Sequence, residues 1–226
     1  MNILYERILL IMFIIVFLIV MWCMYDNYYV YSHTINKSVL KYKPGQPHSV
    51  SPEESPILDE MAAWITIDGT NIDYPVMQAA DNIKYLNTDP FGEYSLSGSI
   101  FLDCRNSPDL TDDYSIIYGH HMEYGVMFGA LDDFLNEKYL TSHRTGTLII
   151  GKNAEKIYDI EVFASMRADA ADKTVFDTAS ENVDAYIQNN ADICLDDRSD
   201  RIIGLSTCAE DGASSRIIVF CYILEE

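Results

Sequence analysis

Positive charge is scarce in this chain. Its 226 residues carry 15 Lys and Arg against 35 Asp and Glu, a formal net charge of −20. A nucleic-acid binder needs a basic face for phosphate, so nucleic acid is excluded as a partner. Peripheral adhesion to anionic lipid is excluded on the same ground. Cysteine is sparse and unpatterned, at positions 23, 104, 194, 208 and 221. No C-x-x-C pair occurs, which removes zinc ribbons and thioredoxin-like motifs. The odd count forms no disulfide framework, although a Cys104–Cys194 bridge is compatible with the sequence. There is no internal repeat and no low-complexity tract.

What is present begins with a hydrophobic run. Ile8 to Met24 is apolar without interruption. As a helix it spans roughly 25 Å, and flanking residues extend it to bilayer thickness. Trp22, Tyr25, Tyr28, Tyr29 and Tyr31 cluster at its far end, as an interfacial aromatic belt does. The run is long for a signal peptide and no small-x-small cleavage site follows, so it reads as an uncleaved anchor over residues 1–27. Arg7 precedes it and Lys37, Lys41 and Lys43 follow, so flanking charge does not set its orientation.

Residues 28–56 read as a stalk, with Pro44, Gly45, Pro47, Pro52 and Pro56 among polar residues. Ser51-Pro52-Glu53-Glu54 is a helix-opening pattern, with Ser51 as cap and Pro52 at the first position. That helix is expected to run through Met61 and Ala62. The remainder, 57–226, is one domain of about 150–170 residues, large enough for its own core. Short strand-like runs fill it: 64–67, 72–77, 98–103, 114–120, 147–150, 156–164, 201–207 and 216–224. Residues 127–135 resemble a short amphipathic helix, and 180–190 carry helical spacing at Val183, Tyr186 and Ile187. Many short strands with few helices predict a mainly β fold, a barrel or a sandwich with helical insertions.

Three side chains with usable chemistry stand at strand ends. Cys208 closes the run from Arg201 and shares a face with Ile202, Gly204 and Ser206. His120 closes the run from Tyr114. Arg216 opens the last strand. By position alone, Cys208 is either a core thiol or an accessible nucleophile. Arg216 either pairs with a carboxylate or stabilises an oxyanion. His120 and His121 are adjacent, so in an extended chain their rings point apart, which disfavours a shared metal.

Read together, these residues resemble the sortase family, and class B most closely. The resemblance rests on Tyr118-Gly119-His120 followed by Met127-Phe128-Gly129, and on Leu205-Ser206-Thr207-Cys208 with Arg216. It extends to residues 68–78, to Asp81-Asn82 with Tyr85-Leu86, and to Gly98-Ser99-Ile100-Phe101-Leu102-Asp103. The helical segment before the penultimate strand is similar to the class B insertion.

The resemblance implies an eight-stranded β-barrel with an N-terminal helix and a helical insertion between the sixth and seventh strands, preceded by a transmembrane helix. It implies a cysteine transpeptidase with no cofactor and no metal, held in the membrane of a Gram-positive cell by a single pass, with the catalytic domain outside. Cys208 is then the nucleophile, His120 its acid/base partner, and Arg216 the oxyanion group. Asn82, Leu86, Tyr118 and Ser206 match substrate-groove positions. The substrate is a surface protein or pilin carrying a C-terminal sorting motif. The acceptor is an amine, on lipid II or a peptidoglycan cross-bridge, or on a pilin lysine. Two positions depart from the family pattern: Glu210 replaces an Asp, and His121 replaces an Asn. A papain-like hydrolase would carry its cysteine on a helix, whereas Cys208 ends a strand. A non-catalytic peptide-binding module is the reading of another class.

Overall fold

The structure is a computed structural model that describes residues 3–34, 37–47, 50–196, 198, 200–208 and 215–225. It divides into two compact units, Met1–Lys37 and Ser38–Glu226. In the first, helix α1 (Ile3–Thr34) runs without a break for 32 residues. Its segment Tyr5–Tyr25 has a mean hydropathy of 3.0, and none of its most apolar stretch is buried. By length and composition it is able to cross a bilayer.

The second unit is built on strands β1 (Met61–Ile67), β2 (Asp73–Met77), β3 (Ile100–Leu102) and β4 (Tyr114–Tyr118). A small hairpin follows, β5 (His121–Met122) with β6 (Val126–Met127), then a 3-10 helix over Phe128–Leu135 and helix α2 (Glu137–Ser142). Next come β7 (Thr145–Ile150), β8 (Lys156–Asp169), α3 (Val183–Asn190), β9 (Ile193–Cys194), β10 (Arg201–Cys208) and β11 (Ser215–Leu224). The main sheet is ordered β11-β10-β4-β3-β2-β1-β7-β8-β9, and β8 also pairs with β11. That second pairing closes eight strands into a barrel, with β9 attached to β8 outside the ring. Closure removes the exposed edges that an open sheet would leave. Two pairings, β2–β3 and β4–β10, are parallel; the other ladders are antiparallel.

Of barrel and sandwich, the chain forms the barrel, and α3 lies between its sixth and seventh strands as expected. The helix expected from Ser51 to Ala62 does not form. The chain makes only turns there, Glu54 N–H to Ser51 O and Ser55 N–H to Pro52 O, and Met61 already belongs to β1. Pro56 explains this: in a helix interior it lacks a donor and clashes with the preceding turn.

Two apolar layers cover the barrel's outer faces. One joins Tyr114, Ile116, Ile202, Ile218, Phe220 and Tyr222 to Val175, Val183 and Ile187 of the inserted segment. Within it Phe163 stacks on Tyr222 at 3.8 Å between centroids. The other centres on Trp64, Met77, Tyr85 and Phe101, with Val39 and Tyr42 packed on it. Each fully buried large side chain contributes about 1.5–3 kcal/mol. Residues read as stalk thus pack on the barrel. Lys43 Nζ donates to Asp73 Oδ1 (2.8 Å) and Thr66 Oγ1 (2.7 Å), and Trp64 Nε1 donates to the same Asp73 oxygen at 2.7 Å.

Cys104 and Cys194 are free thiols, so they form no bridge. Cys221 is free and fully buried in β11, and burial pushes its thiol pKa up.

Candidate active site

The register of three neighbouring strands assembles the site. β4 and β10 are parallel, with Tyr118 paired to Ser206. Gly119 N–H then donates to Ser206 O at 3.1 Å, carrying the ladder one step further. Two residues beyond the Tyr118–Ser206 pair stand His120 on one chain segment and Cys208 on the other. β11 runs antiparallel to β10 and sets Arg216 directly opposite Cys208. His120, Cys208 and Arg216 therefore leave adjacent strands at one rim of the barrel. Gly119 makes the close approach possible: a Cβ there would stand 2.4 Å from Ile100 Cδ1 and 2.8 Å from the Phe128 ring.

His120 is half-buried, and its Nε2 lies 2.8 Å from Leu86 O. A carbonyl oxygen only accepts, so the proton is assigned to Nε2, and Nδ1 is the basic atom of the neutral ring. His121 is tied elsewhere, with Nε2 2.8 Å from Asp132 Oδ2. The two imidazoles thus serve different segments, and His120 alone sits on the loop that carries Leu86. Glu210 and the side chain of Cys208 lie outside the described residues.

The four groove candidates fare differently. Tyr118 is half-buried, lies against Phe101 (5.5 Å between centroids), and donates its hydroxyl to Asp103 Oδ2 at 3.1 Å. Burial and the Asp103 charge push its pKa up, while the charges of Arg105 and Arg216 oppose that. Asn82 donates Nδ2–H to Asp103 Oδ2 (3.0 Å) and accepts from Cys104 N–H at Oδ1 (2.8 Å). Among the described residues, one amide N–H and one lone pair of Asn82 remain for a ligand. Leu86 reaches the site through its carbonyl, and its side chain packs on the apolar layer that contains Trp64 and Phe101. Ser206 is fully buried, and its Oγ has no hydrogen-bond partner among the described residues.

Asp103 was not singled out as a site residue from the sequence. Its carboxylate is fully buried and gathers Tyr118, Asn82 and Arg105. The signal was available, because an Asp that ends the apolar strand Ile100-Phe101-Leu102 must find partners when it is buried. Desolvation works against its charge. The Arg105 side chain and backbone N–H, the Arg105 charge and the Tyr118 hydroxyl outweigh that and hold its pKa below the ordinary carboxyl value.

A thiol, an imidazole and a guanidinium at one rim suit acyl transfer. A thiol with a pKa near about 8.5 needs a cationic or basic neighbour to become a useful nucleophile at neutral pH. Known proteins share this framework. Residues 65–224 match the Sortase domain family. Sortase B of Listeria monocytogenes is 32% identical over 171 residues, which span 71% of this chain and 68% of that protein. A Streptococcus pyogenes class B sortase involved in pilus biogenesis is 35% identical, with a TM-score of 0.67 over 74% of this chain and 94% of that one. The Staphylococcus aureus sortase B–substrate complex gives 28% identity and a TM-score of 0.68, covering 89% of this chain and 96% of that one. Agreement of this extent in both sequence and barrel fixes the assignment: the chain belongs to the sortase family, in its class B, and is a cysteine transpeptidase.

Proposed function

We propose that this sortase cleaves a C-terminal sorting motif after Thr and joins the new carbonyl to an amine of a cell-wall precursor, such as lipid II or a peptidoglycan cross-bridge. Cys208 passes its thiol proton to His120, Sγ attacks the scissile carbonyl carbon, and the carbonyl oxygen becomes an oxyanion facing Arg216. An oxyanion donor contributes about 3–4 kcal/mol to the barrier reduction. His120 protonates the departing amine, the C–N bond breaks, and a thioester to Cys208 remains. The acceptor amine then attacks, His120 takes its proton, and the C–S bond breaks as the new amide forms. The thioester keeps the acyl group activated, so aminolysis competes with hydrolysis. Asn82, Leu86 and Tyr118 contact the peptide, whereas Ser206 is fully buried and lies beneath the groove instead of lining it.

The observation that carries this reading is the pairing of Cys208 with Arg216 beside a His120 whose neighbour Gly119 bonds to Ser206. The charge balance supports the amine acceptor. An alkylamine is cationic at neutral pH, and a chain of net charge −20 attracts it. Residues 1–27 anchor the enzyme by a single pass, residues 57–226 carry the chemistry, and the catalytic domain stands outside the cell. A second reading, a pilin lysine as acceptor, is favoured by the likeness to the S. pyogenes enzyme involved in pilus biogenesis.

The test is a trapped intermediate. Wild-type chain mixed with a library of sorting-motif peptides should gain an acyl mass on the peptide containing Cys208, and Cys208→Ala should gain none. Adding either triglycine or a lysine peptide should release the acyl group as an amide and separates the two acceptor readings. A wild-type enzyme that forms no adduct with any peptide ends the proposal.

A further inference from the structure

The inserted segment and the two loops beside His120 share one buried ion. Asp103 directly follows β3 and has a side chain of 0% exposure. Its Oδ1 accepts from Arg105 N–H and Nε–H, both at 2.9 Å. Its Oδ2 accepts from Arg105 Nη2 (2.8 Å), Asn82 Nδ2 (3.0 Å) and Tyr118 OH (3.1 Å). Five donors converge on one carboxylate, which is the full satisfaction that a buried charge requires. Arg105 passes the connection on. Its Nη2 also donates to Phe176 O at 2.8 Å, and its Nη1 lies 3.9 Å from Asp177 Oδ1. Phe176 and Asp177 belong to the insertion between β8 and β10.

Each partner lies one short step from the reacting groups. Tyr118 is two residues before His120. Asn82 opens the turn whose Leu86 carbonyl holds His120 Nε2. The insertion covers the face of β4, β10 and β11 that carries Tyr114, Ile202 and Ile218. Three separate stretches of chain, 82–86, 118–120 and 176–177, thus meet at Asp103.

We propose that Asp103 is a positioning residue for the sorting peptide: its carboxylate sets Asn82, Tyr118 and, through Arg105, the inserted segment in one arrangement that the peptide binds. This rests on the groove assignment above. An amide in place of the carboxylate makes the consequence concrete. Asparagine presents one oxygen and one NH2 group, so one side of the cluster meets a donor where it needs an acceptor. Asn82 Nδ2 and Arg105 Nη2 then face a third N–H group, and the groove loses its shape while His120 keeps its bond to Leu86.

The experiment uses the full chain in detergent micelles. The probe is the quenched Xaa-Xaa-Xaa-Thr-Xaa peptide that the wild type cleaves fastest from a randomised library, with triglycine as acceptor. Asp103→Asn should raise the peptide KM about tenfold or more, with kcat within about threefold, the split expected when ground-state and transition-state binding are lost together. The alkylation rate of Cys208 by iodoacetamide, followed by mass spectrometry across the pH range, should keep its wild-type profile. Arg105→Met leaves the carboxylate its bonds from Asn82, Tyr118 and the residue-105 backbone N–H, but removes both guanidinium bonds to it together with the links to Phe176 and Asp177, so KM should rise about threefold or more. It also keeps the proposal testable if Asp103→Asn does not fold.

An unchanged KM in folded Asp103→Asn, or in Arg105→Met where Asp103→Asn is unfolded, overturns the proposal. So does a parallel fall of kcat, alkylation rate and thermal midpoint, which marks a merely structural role. Cys208→Ala runs alongside: if it still transfers, the nucleophile assignment fails, whatever the Asp103 variant does.

Discussion

Gly119→Ala probes the joint that holds His120 against β10. An added methyl would sit 2.4 Å from Ile100 Cδ1 and 2.8 Å from Phe128 Cγ and Cδ2. Carbon atoms ordinarily meet at about 3.5–4.0 Å, so the methyl overlaps its neighbours by roughly 1 Å on two sides. Ile100 is 1% exposed and Phe128 0%, so neither has open space to retreat into. The segment between Tyr118 and His120 must then shift, which stretches the Gly119 N–H bond to Ser206 O. Overpacking of this kind costs about 1–3 kcal/mol. For a domain of this size that lowers the melting midpoint by about 2–12 °C. Catalysis suffers more, because a misplacement of about 1 Å in a proton-transfer group costs about 100-fold. The expected variant is therefore folded at room temperature, with kcat/KM down about 100-fold. Differential scanning calorimetry and cleavage of a quenched sorting peptide, both on the full chain in detergent, read the two effects. A variant that melts within about one degree of wild type and cleaves at the wild-type rate refutes the reasoning, because Ile100 and Phe128 would then yield without moving the strand.

Three further outcomes follow from the packing and charge. Cys221 is fully buried and its thiol pKa is raised by burial, so iodoacetamide at about pH 8 should modify Cys104 and Cys194 in the native chain and leave Cys221 untouched, as peptide mass spectrometry would show. Asp103 has a folded pKa below its unfolded value of about 3.9, so its contribution to stability is complete above that value and lost as pH falls through the folded one. Denaturant titrations from about pH 2 to 7 should show Asp103→Asn flattening the acid limb of the stability curve. Phe220 is fully buried 6.3 Å from Phe163, and Phe220→Ala should cost about 3–5 kcal/mol in a chemical melt.

Much of the barrel was legible because its strands are apolar runs bounded by turn residues. β8 extends beyond the expected end at Ala164, because its last residues alternate buried Met166 and Ala168 with exposed Arg167 and Asp169, a weaker signal than the apolar run before it. α2 escaped notice because six residues hold too little periodicity. Its cap was visible, since Asn136 Oδ1 accepts from Lys138 and Tyr139 N–H. The order of His120, Cys208 and Arg216 along the chain was readable, but their convergence depends on parallel pairing of β4 with β10, and strand pairing between such distant segments leaves no local mark. The Asp103 junction was hidden for the same reason. Arg105 is a local partner, but Asn82 and Tyr118 reach Asp103 only once the sheet has formed.

Closure by β11 also governs when reactivity can appear. This strand pairs with β10 from Cys208↔Arg216 to Arg201↔Ile223 and with β8 from Ser215↔Asp169 to Leu224↔Asp159. During synthesis, residue 208 emerges before the strand that carries Arg216 and clasps the barrel. Until that clasp forms, β8 and β10 have open edges, and on the proposed roles Cys208 lacks the guanidinium of Arg216. Such distant pairings are also slow to form. If Cys208 is the nucleophile proposed above, a half-made chain is an inert one, and the hazard of an activated cysteine among unfolded polypeptides is postponed until the ring is complete.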